Sequence, residues 1–96
     1  MVEEGLIVEE ELEIGKSYYI RTLNFNYVGK LAAVRHDTLV LTNASWIPED
    51  DRFHVTLSKG TFREVEPYPP DKRVLVSRLT ISDVCEFAFP LPAEAK

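Results

Sequence analysis

The sequence predicts a mainly β protein, folded as a small, strongly bent barrel of about five strands. Three observations lead to this fold class. Short runs of aromatic and β-branched residues follow one another, and turn residues separate them at close spacing. No segment carries a convincing long helical pattern. Gly29 lies inside the second run, where a strongly curved strand needs a bulge or a backbone without a Cβ atom.

The length and composition indicate one folded domain over residues 1–96. An apolar content of 45% with 28% charged residues lies well away from the low hydrophobicity and high net charge of disordered chains. A chain of this length closes only a modest core, so burial alone leaves little margin of stability and oligomerisation would help it.

The acidic residues are concentrated at one end, in an N-terminal extension over residues 1–15. Residues 1–13 hold six glutamates and no basic residue, whereas residues 14–96 hold ten acidic residues and eleven Lys or Arg. The body is therefore near neutral, which excludes a strongly basic surface for nucleic acid. The spacing of Leu6, Ile7, Val8 and Leu12 favours one or two helical turns, while the alternation of Leu12 and Ile14 suits a strand equally well.

The first three strands form the centre of the predicted fold. Ser17–Leu23 and Tyr27–Val34 have strand composition, and Asn24–Asn26 make the turn between them. Arg35–Thr38 form a polar turn, and Leu39–Ile47 then returns as a third strand that Pro48 ends.

Residues 48–73 are predicted to be an inserted hairpin with a proline-rich connection. Phe53, Val55 and Leu57 alternate with polar residues as in a strand, and Ser58–Gly60 follow as a turn. The return limb Thr61–Glu66 has fewer apolar residues, so we expect it to project from the body with one face in water. Pro67–Pro70 are typical of a rigid spacer and also of a ligand for an aromatic groove.

The chain then returns to clear strand patterns. Val74–Leu79 forms a strand, Ile81 follows, Ser82 and Asp83 make a turn, and Val84–Phe89 forms the last strand.

Residues that could take part in catalysis or bind a metal are few and lie far apart in the sequence. His36 and His54 lie in different hairpins without a second ligand or a nucleophile nearby, so we expect no enzyme, no metal, no cofactor and no small-molecule substrate. Cys85 has no partner cysteine and is predicted to be a small core residue. No apolar stretch approaches the ~20 residues that cross a bilayer, which predicts no membrane partner and a cytoplasmic location.

Two further side chains need a particular environment. Trp46 lies in an apolar strand just before Pro48, which favours a core or interface position over a stacking platform. Arg21 lies within a strand and needs a carboxylate partner or an exposed face, and Glu64 and Glu66 are the candidates.

The order of elements resembles the Sm-like fold, the five-stranded barrel of Sm and Hfq-type RNA-binding rings. The segment VGKLAAVRHDTLVL, starting at Val28, resembles the first Sm motif, and VLVSRLTISDVCEF, starting at Val74, resembles the second. Arg78 stands where that family places its loop arginine. The sequence departs from the signature because Asp37 is followed by Thr38 rather than by the asparagine that reads uracil, and Arg78 by Leu79 rather than by glycine.

A second resemblance covers more of the chain. The strings YYIRT from Tyr18, LVLTNASWIP from Leu39 and EVEP from Glu64 are similar to a group of small phage- and cyanophage-encoded proteins of uncharacterised role. That group implies the same Sm-like barrel and, for a phage protein, the cytoplasm of the host cell.

These resemblances lead to two hypotheses about function. The first is a non-enzymatic assembly or adaptor protein that forms a homo-oligomeric ring of five to seven subunits. Such small barrels leave edges that a neighbour can pair, so the predicted interface is formed by apolar residues of the last two strands. These residues are Val74, Leu75, Val76, Val84, Phe87 and Phe89. The alternative is weak binding of RNA or single-stranded nucleic acid at the ring rim, through Arg35, His36, Asp37 and Arg78.

Overall fold

The computed structural model describes residues 12–96 of the chain. Its elements in chain order are β1 (Ser17–Thr22), β2 (Asn26–Val34), β3 (Thr38–Asp50), helix α1 (Phe53–Lys59), β4 (Phe62–Pro67), β5 (Val74–Ser77), a 3-10 turn (Arg78–Thr80) and β6 (Ile81–Glu86). The expected conformations of the N-terminal extension concern mainly residues 1–11, which lie outside the described part of the chain.

The strands form one antiparallel sheet, which confirms the mainly β prediction. Their order is β4-β3-β2-β1-β6, and β5 pairs with the first half of β3. The sheet has six strands rather than five, and the strands of residues 12–96 do not close into a barrel. It is nevertheless strongly bent, because β5 and β6 pair with different strands of the sheet although only the turn Arg78–Thr80 joins them.

Both faces of the sheet are covered by apolar side chains. The alternation along β1 sends Tyr18 and Ile20 into a first core and Tyr19 into a second. The first core is completed by Leu31, Leu39, Leu41, Ala44 and Val76. The second core is completed by Val28, Ile47, Phe62, Val65 and Phe87, and α1 and the C-terminal segment pack on it through Phe53, Leu57, Phe89 and Leu91.

A bulge opposite Gly29 confirms the expectation for that position. Val28 pairs with Ser45 and Lys30 with Thr42, so β3 has one more residue than β2 at this point. Asn43 takes up the extra residue with a φ of 48°. A Cβ atom on Gly29 would lie 3.0 Å from the Cβ atom of Ala44, so a side chain there would require the two strands to move apart by a few tenths of an ångström.

The predicted strand over Phe53–Leu57 is wrong, because these residues belong to α1. Phe53 and Leu57 are four residues apart, so they share one face of a helix as readily as one face of a strand, and both pack on the second core. Gly60 ends the helix in the left-handed conformation with a φ of 73°, and its N–H donates to the carbonyl of Thr56 at 2.8 Å. The inserted segment is thus a helix followed by β4, not a hairpin. The return limb does form a strand with one face in water, since Phe62 and Val65 are buried and Arg63, Glu64 and Glu66 are exposed.

The predicted end of the third strand at Pro48 is also wrong, because β3 continues to Asp50. The pairing of β3 with β2 ends at Ile47, and its pairing with β4 shifts register between Trp46 and Glu49. Pro48 therefore lies at a position where no ladder hydrogen bond needs its missing N–H group.

The last turn lies earlier than predicted. Ser82 and Asp83 are part of β6, and the turn is formed by Arg78–Thr80, where Thr80 Oγ1 donates to the carbonyl of Ser77 at 2.9 Å. Cys85 lies on the edge strand β6 and is exposed, so the prediction of a core cysteine is wrong. Among the described residues, no helix is long and apolar enough to span a membrane.

Candidate functional site

The structure brings the four predicted rim residues together at one end of the sheet. Nη1 of Arg78 donates to the carbonyl of Arg35 at 2.6 Å and to that of His36 at 3.4 Å. The backbone N–H of Arg78 donates to the carbonyl of Asp37 at 3.0 Å. The β2–β3 turn is closed by the N–H of Arg35, which donates to the carbonyl of Thr38 at 2.8 Å.

Arg78 has a bracing role in this rim. Its guanidinium fixes the carbonyls of the β2–β3 turn, while the side chains of Arg35, His36 and Asp37 are exposed. A charged donor on backbone carbonyls makes a stronger hydrogen bond than a neutral donor does. The turn therefore presents one cation, one imidazole and one carboxylate to solvent.

The predicted interface residues divide into three groups. Val76 is buried in the first core and Phe87 in the second, at 4% exposure each, so both side chains pack inside the chain. Val74, Val84 and Phe89 are half-buried, whereas Leu75 is 58% exposed. In the described part of the chain β5 pairs only with β3 and β6 only with β1, so each has an outer edge without a strand partner.

Arg21 finds a different partner from those predicted. Its guanidinium binds both carboxylate oxygens of Asp83 on the adjacent strand β6, with Nε donating to Oδ1 at 2.9 Å and Nη2 to Oδ2. The guanidinium also lies over the ring of Phe53, 4.1 Å from its centroid. Glu64 and Glu66 lie on β4 at the other end of the strand order, which is why neither pairs with Arg21. The hydrogen bonds from Arg21 hold the pKa of Asp83 below its usual value.

A second polar contact, formed by the buried Tyr19, supports the same region. Tyr19 is fully buried and donates from Oη to Oδ2 of Asp50 at 2.7 Å, and Nδ2 of Asn26 donates to Tyr19 Oη at 3.4 Å. Burial of the hydroxyl, and next the hydrogen bond to Asp50, raise the pKa of Tyr19 well above its usual value. The Arg21–Asp83 contact joins β1 to β6 and the Tyr19–Asp50 contact joins β1 to β3, so both stabilise the fold.

The sequence did not predict an aromatic cleft formed by Phe25, Tyr27, Trp46 and Tyr68. The rings of Phe25 and Trp46 meet edge to face with centroids 5.8 Å apart. Trp46 is 36% exposed, so the core is excluded, and of the two predicted positions the interface stays a prediction. Trp46 lies on the same face of the sheet as its cross-strand neighbour Tyr27, the face that carries the first core. β5 pairs with β3 only from Thr38 to Leu41, so it does not reach Trp46 to cover it.

The described residues contain no group of three or more His, Cys, Asp or Glu side chains that could hold a metal ion. No protein-family model, curated protein or solved structure matches this chain.

Proposed function

We propose that the chain is a non-enzymatic assembly protein with an Sm-like barrel, whose copies form a closed ring of five to seven subunits. The observation that supports the proposal is that the consecutive strands β5 and β6 each have an outer edge without a strand partner among residues 12–96. The side chain of Leu75 on β5 is exposed. An edge strand of this kind is a template for pairing with another chain.

The curvature of the sheet supports the proposed barrel. β5 pairs with β3 and β6 with β1, and the N–H of Leu23, just after β1, donates to the carbonyl of Thr80 at 2.9 Å. The turn Arg78–Thr80 is thereby tied to the β1–β2 loop, and the sheet folds back on itself around the first core.

Head-to-tail pairing explains why a ring is expected rather than a twofold dimer. If β5 of one copy pairs with β6 of the next, each copy uses two different edges, and repetition of the contact closes a ring when the rotation allows it. Leu79 on the connecting turn is 90% exposed and adds an apolar contact next to both edges.

Light scattering behind a sizing column tests the assembly. The wild type is expected at five to seven times the 11.0 kDa of one chain. Leu75→Lys places a charge on the β5 edge and is expected to give the monomer. Ile14→Lys is the matched control, because Ile14 is a similarly exposed apolar residue outside the two edges, at 60%. A wild-type monomer at micromolar concentration would overturn the proposal.

A second candidate function is weak binding of RNA or single-stranded nucleic acid at the rim. The observation that favours it is the convergence of Arg78 with the turn of Arg35, His36 and Asp37. Few phosphate contacts are available there, so the affinity is expected to depend only weakly on salt.

Fluorescence anisotropy with short labelled RNAs at low salt tests this second function. Arg35→Ala removes an exposed cation of the rim, and Arg78→Ala releases the turn, so both are expected to weaken binding. Arg52→Ala is the control, since Arg52 is an exposed cation beside α1. Absence of binding by the wild type removes this function, and equal binding by all variants removes the rim as its site.

A further inference from the structure

We propose that the aromatic cleft of Phe25, Tyr27, Trp46 and Tyr68 binds a proline-rich peptide in the polyproline II conformation, with a basic residue of that peptide beside Glu66. The cleft adjoins the β5 edge, because Phe25 and Tyr27 also line a neighbouring pocket with Leu75. The composition of the cleft, its unused hydrogen-bond donors and the charge next to it support this ligand.

The lining of the cleft consists of four aromatic side chains and no charged group. Its volume of about 250 Å³ is below the ~300–1,000 Å³ of sites that enclose a small molecule. A shallow aromatic surface, in which the rings of Phe25 and Trp46 meet edge to face, is instead the kind of groove on which proline-rich segments dock, because proline rings pack on aromatic faces. The polyproline II helix is already formed before binding, so little conformational entropy is lost.

The polar atoms of the cleft are available to such a ligand. The indole N–H of Trp46 and the hydroxyls of Tyr27 and Tyr68 have no hydrogen-bond partner among residues 12–96. A polyproline II backbone carries carbonyl groups without internal hydrogen bonds, and these are the acceptors that such donors need.

The loop that supplies Phe25 is held rigidly, so the cleft exists before a ligand arrives. Thr22 Oγ1 accepts the N–H groups of Asn24 at 3.2 Å and Phe25 at 2.9 Å, and the N–H of Thr22 donates to the carbonyl of Phe25 at 3.0 Å. Phe25 remains 49% exposed in this conformation. A preformed apolar surface avoids the cost of ordering the loop on binding.

The charge beside the cleft selects the class of ligand. Glu66 on β4 is the cross-strand neighbour of Trp46, and both side chains are exposed on the same face of the sheet. Glu66 has no ion pair with any residue from 12 to 96. A carboxylate at this place repels a phosphodiester backbone and attracts an arginine or lysine, which favours a basic proline-rich peptide over nucleic acid.

Trp46 is the only tryptophan in the chain, so its fluorescence reports directly on the cleft. The probe is a synthetic peptide of nine prolines followed by one arginine, compared with a peptide that ends in glutamine and with a glycine–serine peptide of equal length. We expect a saturable change with both proline peptides and none with the glycine–serine peptide. Tyr68→Ala is expected to weaken binding by about tenfold or more. Ile14→Ala, an exposed apolar residue elsewhere, is expected to leave it unchanged.

The role of Glu66 is tested by the same titrations. The arginine peptide is expected to bind about two- to fivefold more tightly than the glutamine peptide, as for an exposed ion pair, and Glu66→Gln is expected to abolish that difference. Circular dichroism of each variant establishes that it is folded. No fluorescence change at millimolar peptide, or an equal change with the glycine–serine peptide, would overturn the proposal. So would a change seen only when oligothymidylate is added in place of a peptide. A change without peptide that follows protein concentration would also overturn it, because it would assign the cleft to a second copy of the chain.

Discussion

Gly29 and Ala44 lie so close across the β2–β3 ladder that a Cβ atom on Gly29 would sit 3.0 Å from the Cβ and 3.2 Å from the Cα of Ala44. The contact lies on the first core, where Leu41 Cβ is also within 3.2 Å of the added atom. Neither neighbour is the mobile end of a long side chain. The bulge of β3 and the small size of both residues therefore act together to bend the sheet.

Gly29→Ala is expected to destabilise the protein by about 1–3 kcal/mol, the usual cost of overpacking a core. The measurement is the free energy of unfolding from urea titrations. Because most of the conflict is with Ala44, adding Ala44→Gly to Gly29→Ala should cost less than the sum of the two single changes. Strict additivity would show that the close approach is not what requires glycine.

Tyr19→Phe removes the hydroxyl that donates to Asp50 and is expected to cost about 1–2 kcal/mol of stability. The pKa of Tyr19 is raised in the folded state, so its contribution is fully present below the unfolded value of 10.0 and is lost as the pH rises above it. The wild type should therefore lose stability in alkali more steeply than Tyr19→Phe does.

Absorbance of tyrosinate against pH, with circular dichroism in parallel, measures this alkaline loss. Tyr68→Phe is the matched control, because the hydroxyl of Tyr68 is exposed and has no hydrogen-bond partner within residues 12–96. Ionisation of Tyr19 near pH 10 in a protein that stays folded would contradict the burial of its hydroxyl.

Asp83→Asn removes the carboxylate that Arg21 binds. The pKa of Asp83 is lowered in the folded protein, so this ion pair stabilises above the unfolded value and the contribution is lost as the pH falls through the folded value. Both side chains are more than one third exposed, so the expected loss at pH 7 is about 1 kcal/mol or less.

Urea midpoints at pH 7 and in acid check the pair. The difference between wild type and Asp83→Asn is expected to shrink as the pH falls below about 4, the ordinary range of a carboxyl group. Glu64→Gln, an exposed carboxylate on β4, serves as the control and should show no such trend. A difference that is constant with pH would assign the loss to packing instead.

Strand composition and turn residues were enough to predict the mainly β class, β1, β2 and the bend at Gly29. The helix α1 was missed because apolar residues at positions 53, 55 and 57 fit a strand, while only 53 and 57 define the helical face that packs on the second core. The sequence of this segment alone does not distinguish a strand period of two from a helical period of about 3.6. The helix forms because Phe53 and Leu57 then pack together on the second core.

The aromatic cleft was missed for a related reason. β3 has buried residues in succession at Leu39, Val40 and Leu41, and Asn43 then changes the phase of the alternation at the bulge. A period of two cannot be extended through such a position, so the exposure of Trp46 follows from the register and from where β5 ends. Arg78 does lie beside the β2–β3 turn, because it directly follows β5, which pairs with the start of β3. The role of these residues as a binding site stays a prediction.

The proposed ring requires that the outer edges of β5 and β6 pair between copies of the chain. Amide hydrogen exchange, measured on the wild type and on Leu75→Lys at the same protein concentration, detects this pairing. Amides of Val74–Ser77 and Ile81–Glu86 are expected to be protected in the wild type and to exchange faster in the variant, while amides of β2 exchange alike in both. Equal exchange of β5 and β6 in the two proteins would contradict it.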